Sequence, residues 1–79
     1  MPKLKILSGK ELIKLLRHIG FEIESQKGSH IKFKRILKTE SQTLTIPNHT
    51  ELDKGTLKAI YRQASRYISL DELDKIFYF

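Results

Sequence analysis

Three histidines are the side chains best suited to proton-transfer chemistry in this 79-residue chain, which contains no cysteine. The lack of cysteine excludes disulfides, thiol catalysis and thiolate zinc sites. His18 falls in the last turn of a predicted helix, just before Gly20, where a cation complements the negative end of the helix dipole. We therefore predict no site role for His18, which leaves His30 and His49 as candidates.

His30 is predicted to open a strand, directly after the turn signal Lys27-Gly28-Ser29. The two-residue period of a strand places Lys32 and Lys34 on the same face as His30. Neighbouring ammonium groups disfavour the cationic form of an imidazole, and a neutral imidazole can act as a general base. The alternative, an ordinary surface histidine on a polar strand, fits the residues equally well.

His49 belongs to the loop Pro47-Asn48-His49-Thr50, which leads into a second predicted helix. Polar loop residues before a helix often bind ligands, but they also often only satisfy local backbone groups. The residues alone favour the second interpretation.

Basic residues recur at helical spacing in a chain whose formal net charge is +6. Residues 70–79 have a net charge of −2, so residues 1–69 carry +8. Charge of this sign favours a polyanion such as a nucleic acid, and an acidic protein partner comes next. Two predicted helix faces carry these residues: Lys10, Lys14 and Arg17 on the first, and Lys54, Lys58, Arg62 and Arg66 on the second. A solvated face is the alternative for each stripe alone.

Several catalytic patterns are missing from the sequence. It has no HExxH motif, no phosphate-binding P-loop, no G-x-S-x-G and no carboxylate pair placed to bridge two metal ions. Its acidic cluster at positions 71, 72 and 74 is consistent with a solvated helix face. We therefore expect no metal and no cofactor, and a nuclease with this sequence should need neither.

The predicted elements form one α+β domain over residues 1–79, with a core at about 8–68 and an acidic helix with an aromatic tail at 69–79. A capping box of Ser8 and Glu11 opens helix one at about 9–19, which ends at Gly20, where glycine takes positive φ at no steric cost. Three strands at about 21–26, 30–36 and 42–46 each have one apolar and one polar face, and in the first of them Ile23 points inward while Glu24 lies on the polar face. Asp53 caps helix two. Ser69 opens a short third helix with Leu70, Leu73 and Phe77 facing inward. The longest apolar run is four residues, Ile76 to Phe79, so we expect a cytoplasmic protein without a membrane anchor.

Four blocks in order, from about Ser8 to Leu73, make the chain resemble the HicA family of toxins. No single block is decisive, but together their order and spacing are specific. The blocks are Ser8-Gly9-Lys10-Glu11-Leu12 with Gly20-Phe21, then Gln26-Lys27-Gly28-Ser29-His30, then Ile46-Pro47-Asn48-His49 with Leu52-Asp53-Lys54-Gly55-Thr56-Leu57, then Ile60 with Arg62-Gln63-Ala64.

The resemblance implies a fold similar to the double-stranded-RNA-binding domain, with a helix, a three-stranded antiparallel sheet, a helix and a short C-terminal helix. It also implies an mRNA interferase of a type II toxin–antitoxin pair, whose HicB-like antitoxin masks the catalytic histidine. That histidine falls on His30, with Gly28 and Ser29 as its supporting motif.

The favoured hypothesis is a metal-independent endoribonuclease with His30 as general base. RNA contacts are expected from Lys27, Lys32, Lys34, His49, Lys54, Lys58 and Arg62. A non-catalytic RNA-binding module is the main alternative, since double-stranded-RNA-binding domains hold RNA through phosphates and 2′-OH groups. A third possibility is that the positive surface serves mainly to bind an acidic antitoxin.

Overall fold

A computed structural model describes residues 3–79 as three helices and one antiparallel sheet. The elements follow in the order α1 (Gly9–His18), β1 (Glu22–Lys27), β2 (His30–Ile36), β3 (Ser41–Pro47), α2 (Lys54–Ala64) and α3 (Leu70–Phe77). The bounds of α1 and of the three strands lie within one residue of those predicted from the sequence. The α+β class and the helix–sheet–helix order, consistent with a fold like the double-stranded-RNA-binding domain, are confirmed.

The sheet has the strand order β1-β2-β3, so β2 is central. Inward-facing residues of β2 and β3 are buried against the helices, because alternate residues of a strand point to opposite faces. The core consists of Leu12 and Leu16 from α1, Ile31 and Phe33 from β2, Leu44 and Ile46 from β3, Leu57, Ile60 and Ala64 from α2, and Leu73, Ile76 and Phe77 from α3, with Leu7, Phe21, Leu52 and Ile68 from the connections.

Local capping fixes where the helices begin and where α1 ends. Ser8 and Glu11 form a reciprocal capping box at α1, and the Asp53 carboxylate accepts a hydrogen bond from the Thr56 N–H at 2.8 Å. Gly20 has φ +101°, a conformation that only glycine adopts without steric cost. These three predictions are confirmed.

Strand β1 departs from the predicted pattern of one buried and one exposed face. All six of its residues are exposed, and Ile23 is 44% exposed although its alternation predicted an inward side chain. The strand lies at the edge of the sheet, and its register with β2 shifts between Ile23 and Ser25. The buried strand residues all belong to β2 and β3, so the helical layer does not extend over β1.

The C-terminal part corrects two further predictions. Leu70 is 57% exposed rather than inward, and Ile76 is buried with Leu73 and Phe77 instead. Helical side chains lean toward the N-terminus, so the first residue of α3 projects beyond the surface that the helix covers. Arg66 does not continue the basic stripe of α2, because that helix ends at Ala64.

The end of the chain lies against its beginning. The Phe77 carbonyl accepts a hydrogen bond from the Lys5 N–H at 2.7 Å, and the Phe79 N–H donates to the Lys3 carbonyl at 2.9 Å. Phe77 is fully buried, whereas Phe79 is 82% exposed. The aromatic tail therefore packs on the chain's own fold through Phe77 and Tyr78, and the Tyr78 ring meets Tyr61 edge-on. Within the described residues, no helix is both long and apolar enough to cross a membrane.

Candidate nucleic-acid site

His30 stands at the first position of β2, immediately after a tight turn. Gly28 has φ +61°, as the two-residue hairpin turns with glycine first require. Lys27 is the cross-strand partner of His30 on β1, and Pro47 is its partner on β3. The turn thus fixes the backbone at His30 while its side chain stays exposed.

The loop that carries His49 is held to two other segments by backbone hydrogen bonds. The Asn48 N–H donates to the Ser29 carbonyl at 2.6 Å, which joins this loop to the turn before His30. The Gly9 N–H donates to the His49 carbonyl at 2.7 Å, and the Leu52 N–H donates to the Leu7 carbonyl at 2.9 Å. The loop is therefore tied to both the β1–β2 turn and the start of α1.

Gly9 allows α1 to approach this loop unusually closely. A Cβ atom at position 9 would lie 2.8 Å from both Cα and Oδ1 of Asn48 and 2.9 Å from the His49 nitrogen. Next to this contact is an open pocket of about 360 Å³, lined by Ser8, Lys10, Asn48, His49 and Thr50. The pocket offers hydroxyl, amide, imidazole and ammonium groups, all of which can bind a phosphate or a sugar hydroxyl.

The charges near His30 are more mixed than the sequence predicted. Lys32 and Lys34 are on the outer face with His30, but the Glu24 carboxylate lies 3.8 Å from each of their ammonium groups. Glu24 is at the register shift of β1, where a bulge redirects a side chain. His30 therefore shares this face with Lys32 and Lys34 and also with a carboxylate that the edge strand supplies.

Lys27 differs from the two lysines further along β2. It is exposed, it faces His30 across the hairpin, and no carboxylate of residues 3–79 lies within 4.0 Å of its ammonium group. Among the lysines predicted to support His30, Lys27 is thus the one whose charge is not shared with an acidic partner in the described chain.

His49 lies near the capping carboxylate of α2. The hydrogen bonds from Thr56 to Asp53 hold the pKa of the Asp53 carboxyl below its usual value, and the charge of His49 lowers it further. The loop histidine is therefore within electrostatic reach of an anionic group, in contrast to His30, whose cross-strand partner on β1 is Lys27.

The predicted RNA-binding residues are brought together only in part. Gly28, Ser29 and His30 meet the loop of His49, and Lys54 begins α2 directly after Asp53. Lys58 and Arg62 are exposed one and two turns further along α2, about 6 and 12 Å from Lys54 along the helix axis. The structure thus has one compact site and a basic track leading away from it.

The sequence pattern gave no role at this site to four residues that the structure places there: Gly9, Lys10, Asn48 and Glu24. Gly9 had a detectable signal, because glycine is a frequent choice where two backbone segments approach closely. Lys10 was placed on a helix stripe without a link to His49, and Glu24 was placed on the polar side of a strand. No local pattern places Asn48 against Ser29.

The chain matches a known protein family over most of its length. The described residues contain no cluster of three or more histidine and acidic side chains that could hold a metal ion. No curated protein matches the chain at a significant level. The sequence profile of the family described as "HicA toxin of bacterial toxin-antitoxin" matches residues 9–65, which include α1, the whole sheet and α2. Because this match covers well over half of the chain, the protein belongs to the HicA toxin family.

Proposed function

We propose that this toxin is an endoribonuclease that cleaves mRNA without a bound metal ion, with His30 as its general base. The main support is the exposed imidazole of His30, held at the end of a rigid two-residue turn in a member of this family. Gly28 supports this role by adopting the positive φ that the turn needs, and Ser29 by holding the neighbouring loop through its carbonyl.

The proposed reaction uses the nucleophile that RNA itself carries. His30 takes the proton of a 2′-OH while that oxygen attacks the adjacent phosphorus, which yields a 2′,3′-cyclic phosphate and a 5′-OH end. Negative charge builds on the phosphoryl oxygens in the transition state, and a fixed cation there lowers the barrier. Lys27 suits this role best, because it faces His30 and is not paired with a carboxylate in the described chain.

The remaining basic residues are proposed to hold the RNA backbone. Lys32 and Lys34 extend from His30 along the outer face of β2, and Lys54, Lys58 and Arg62 extend along α2 from the loop of His49. Contacts of this kind release counterions from the RNA, so binding should weaken steeply as salt increases.

We further propose that a HicB-like antitoxin inhibits the toxin by covering His30. An exposed imidazole on a small positive surface is accessible to a protein of opposite charge. Expression of the toxin alone should then stop growth, and coexpression of the antitoxin should restore it.

The decisive experiment compares the parent protein with His30→Ala and with His18→Ala, a matched loss of an exposed histidine at the far end of α1. Each protein is incubated with mRNA in the presence of EDTA, and the new ends are mapped. The parent and His18→Ala should cleave alike, while His30→Ala should be about 10²–10⁴-fold slower, the usual contribution of a general base.

Other outcomes contradict parts of the proposal. Equal cleavage by the parent and His30→Ala removes the histidine from the mechanism, and loss of activity in EDTA removes metal independence. Salt-sensitive binding that leaves the RNA intact after long incubation would instead support the non-catalytic RNA-binding module.

A further inference from the structure

Cleavage by a 2′-OH requires two proton transfers, and the proposed function accounts for only one of them. The oxygen of the departing 5′ nucleotide must gain a proton as its bond to phosphorus breaks. A positioned acid that supplies this proton is typically worth about 10²–10⁴-fold in rate. If the proposed function is right, the structure should hold such an acid close to His30.

Imidazole is the side chain best suited to donate a proton near neutral pH, and the chain has two histidines besides His30. His18 ends α1, nine residues after Gly9, and so lies about 13 Å along the helix axis from the loop that Gly9 contacts. His49 belongs to that loop. Of the two, only His49 shares a set of backbone contacts with His30.

Backbone geometry sets the separation of the two histidines. His30 and Pro47 are direct partners across β2 and β3, with Cα atoms about 5 Å apart, and His49 is two residues beyond Pro47. Two residues span at most about 7 Å, so the Cα atoms of His30 and His49 lie within about 12 Å of each other. The 2.6 Å hydrogen bond from the Asn48 N–H to the Ser29 carbonyl holds this loop beside the β1–β2 turn.

The charged groups beside the two histidines differ. His49 is within electrostatic reach of the Asp53 carboxylate, which accepts a hydrogen bond from the Thr56 N–H at 2.8 Å. Lys10 is the cation that lines the pocket with His49. His30 instead has Lys27 as its cross-strand partner on β1.

We propose that His49 is a second catalytic residue, the general acid that protonates the 5′-oxygen of the leaving nucleotide. The 2′-oxygen loses its proton to His30 and bonds to phosphorus. The bond from phosphorus to the 5′-oxygen breaks, and that oxygen takes the proton from His49. Both substrate protons are thereby accounted for, and the cyclic phosphate and the 5′-OH leave without any other reactant.

A chemically altered RNA tests this role. In a substrate whose scissile 5′-oxygen is replaced by sulfur, the leaving group is a thiolate, which needs little protonation because thiols ionise near pH 8.5. His49→Ala should cleave ordinary RNA about 10²–10⁴-fold more slowly than the parent but the sulfur substrate within about tenfold of it. His30→Ala should be slow on both substrates.

The controls separate this proposal from the one on which it rests. His49→Gln keeps a polar side chain in the exposed loop without a titratable group, so it should behave like His49→Ala, while His18→Ala should match the parent. Parental rates for His49→Ala on ordinary RNA would overturn the acid role, as would an equal defect on both substrates, which indicates substrate binding. If the parent does not cleave RNA, or His30→Ala has no effect, the proposed function itself fails.

Discussion

Two regions of this protein are built in opposite ways. The histidine region, consisting of Gly28 to His30 with Asn48 and His49, is held by backbone hydrogen bonds while its two histidine side chains remain exposed. The third-helix region, consisting of α3 with Tyr61, is held by side chains: Leu73, Ile76 and Phe77 are buried, and the Tyr61 hydroxyl donates to the Asp74 carboxylate at 2.7 Å.

The difference indicates that the residues that stabilise this small fold and the residues proposed to react with RNA lie in different regions. Buried apolar area is the main favourable term in folding, and the third-helix region supplies part of it. The histidine region adds little buried side-chain area but fixes the backbone from which two imidazoles project. Side-chain substitutions should therefore change stability in the third-helix region and activity in the histidine region, and the following substitutions test that division.

The largest effect is expected at Phe77, whose ring is fully buried and meets Tyr61 edge-on at 5.5 Å between ring centroids. Phe77→Ala should lower the free energy of unfolding by about 3–5 kcal/mol, through lost burial and the cavity left behind. The matched control is Phe79→Ala, because Phe79 is 82% exposed and should cost below about 1 kcal/mol. Urea denaturation measures both, and equal losses would show that α3 adds no packing energy.

At Gly9 we expect one substitution to change both stability and activity, because this residue packs against the backbone of the loop that carries His49. Gly9→Ala puts a methyl group 2.8 Å from Asn48 and should cost about 1–3 kcal/mol, with a displaced loop and slower RNA cleavage. Gly55→Ala is the control: no atom lies within 4 Å of its added Cβ, and alanine favours a helix by up to about 1 kcal/mol. Thermal unfolding and cleavage assays compare the two variants. Similar behaviour would mean that the contact between Gly9 and Asn48 is unimportant.

The smallest effect concerns the hydrogen bond between Tyr61 and Asp74, which raises the pKa of the Tyr61 phenol to about 12. Since this pKa lies above the ordinary value of about 10, the contribution is complete below pH 10 and is lost as pH rises through 12. Tyr61→Phe should cost about 0.5 kcal/mol at pH 7, because the bond is exposed to solvent. The Tyr61→Phe protein should also lack the loss of stability that ionisation of the Tyr61 phenol causes at alkaline pH.

Tyr67→Phe is the control for that measurement. The Tyr67 hydroxyl has no hydrogen-bond partner within residues 3–79, so its removal should leave unfolding nearly unchanged from pH 7 to 12. If the Tyr61→Phe and parent proteins lose stability identically across this range, the bond to Asp74 contributes nothing measurable.

The fold was largely predictable because its signals are local. The caps at Ser8 and Asp53, the positive φ at Gly20 and the two-residue period of β2 each depend on residues close together in the sequence. Ile23 and Leu70 were wrongly assigned to the core for the converse reason. Their alternation and spacing were right locally, but whether another element covers a residue depends on the packing of distant segments.

In the candidate site, too, local features were predictable from the sequence and long-range placements were not. The turn before His30, the lysines on its face and the basic residues of α2 could be read along the chain, as could the resemblance that the family match confirms. The placement of Glu24 between Lys32 and Lys34 could not, since it depends on an irregular register between two strands.

The sequence by itself determined the elements, their order, the positive charge and the residues able to move a proton, because periodicity, capping and composition act over short distances. Only the tertiary structure decided that the His49 loop is tied to the turn before His30 and that Gly9 packs against it. These contacts join positions 9, 29 and 48, which come together only when the sheet and α1 have packed around one core. Two histidines 19 positions apart in the sequence thereby have Cα atoms within about 12 Å of each other.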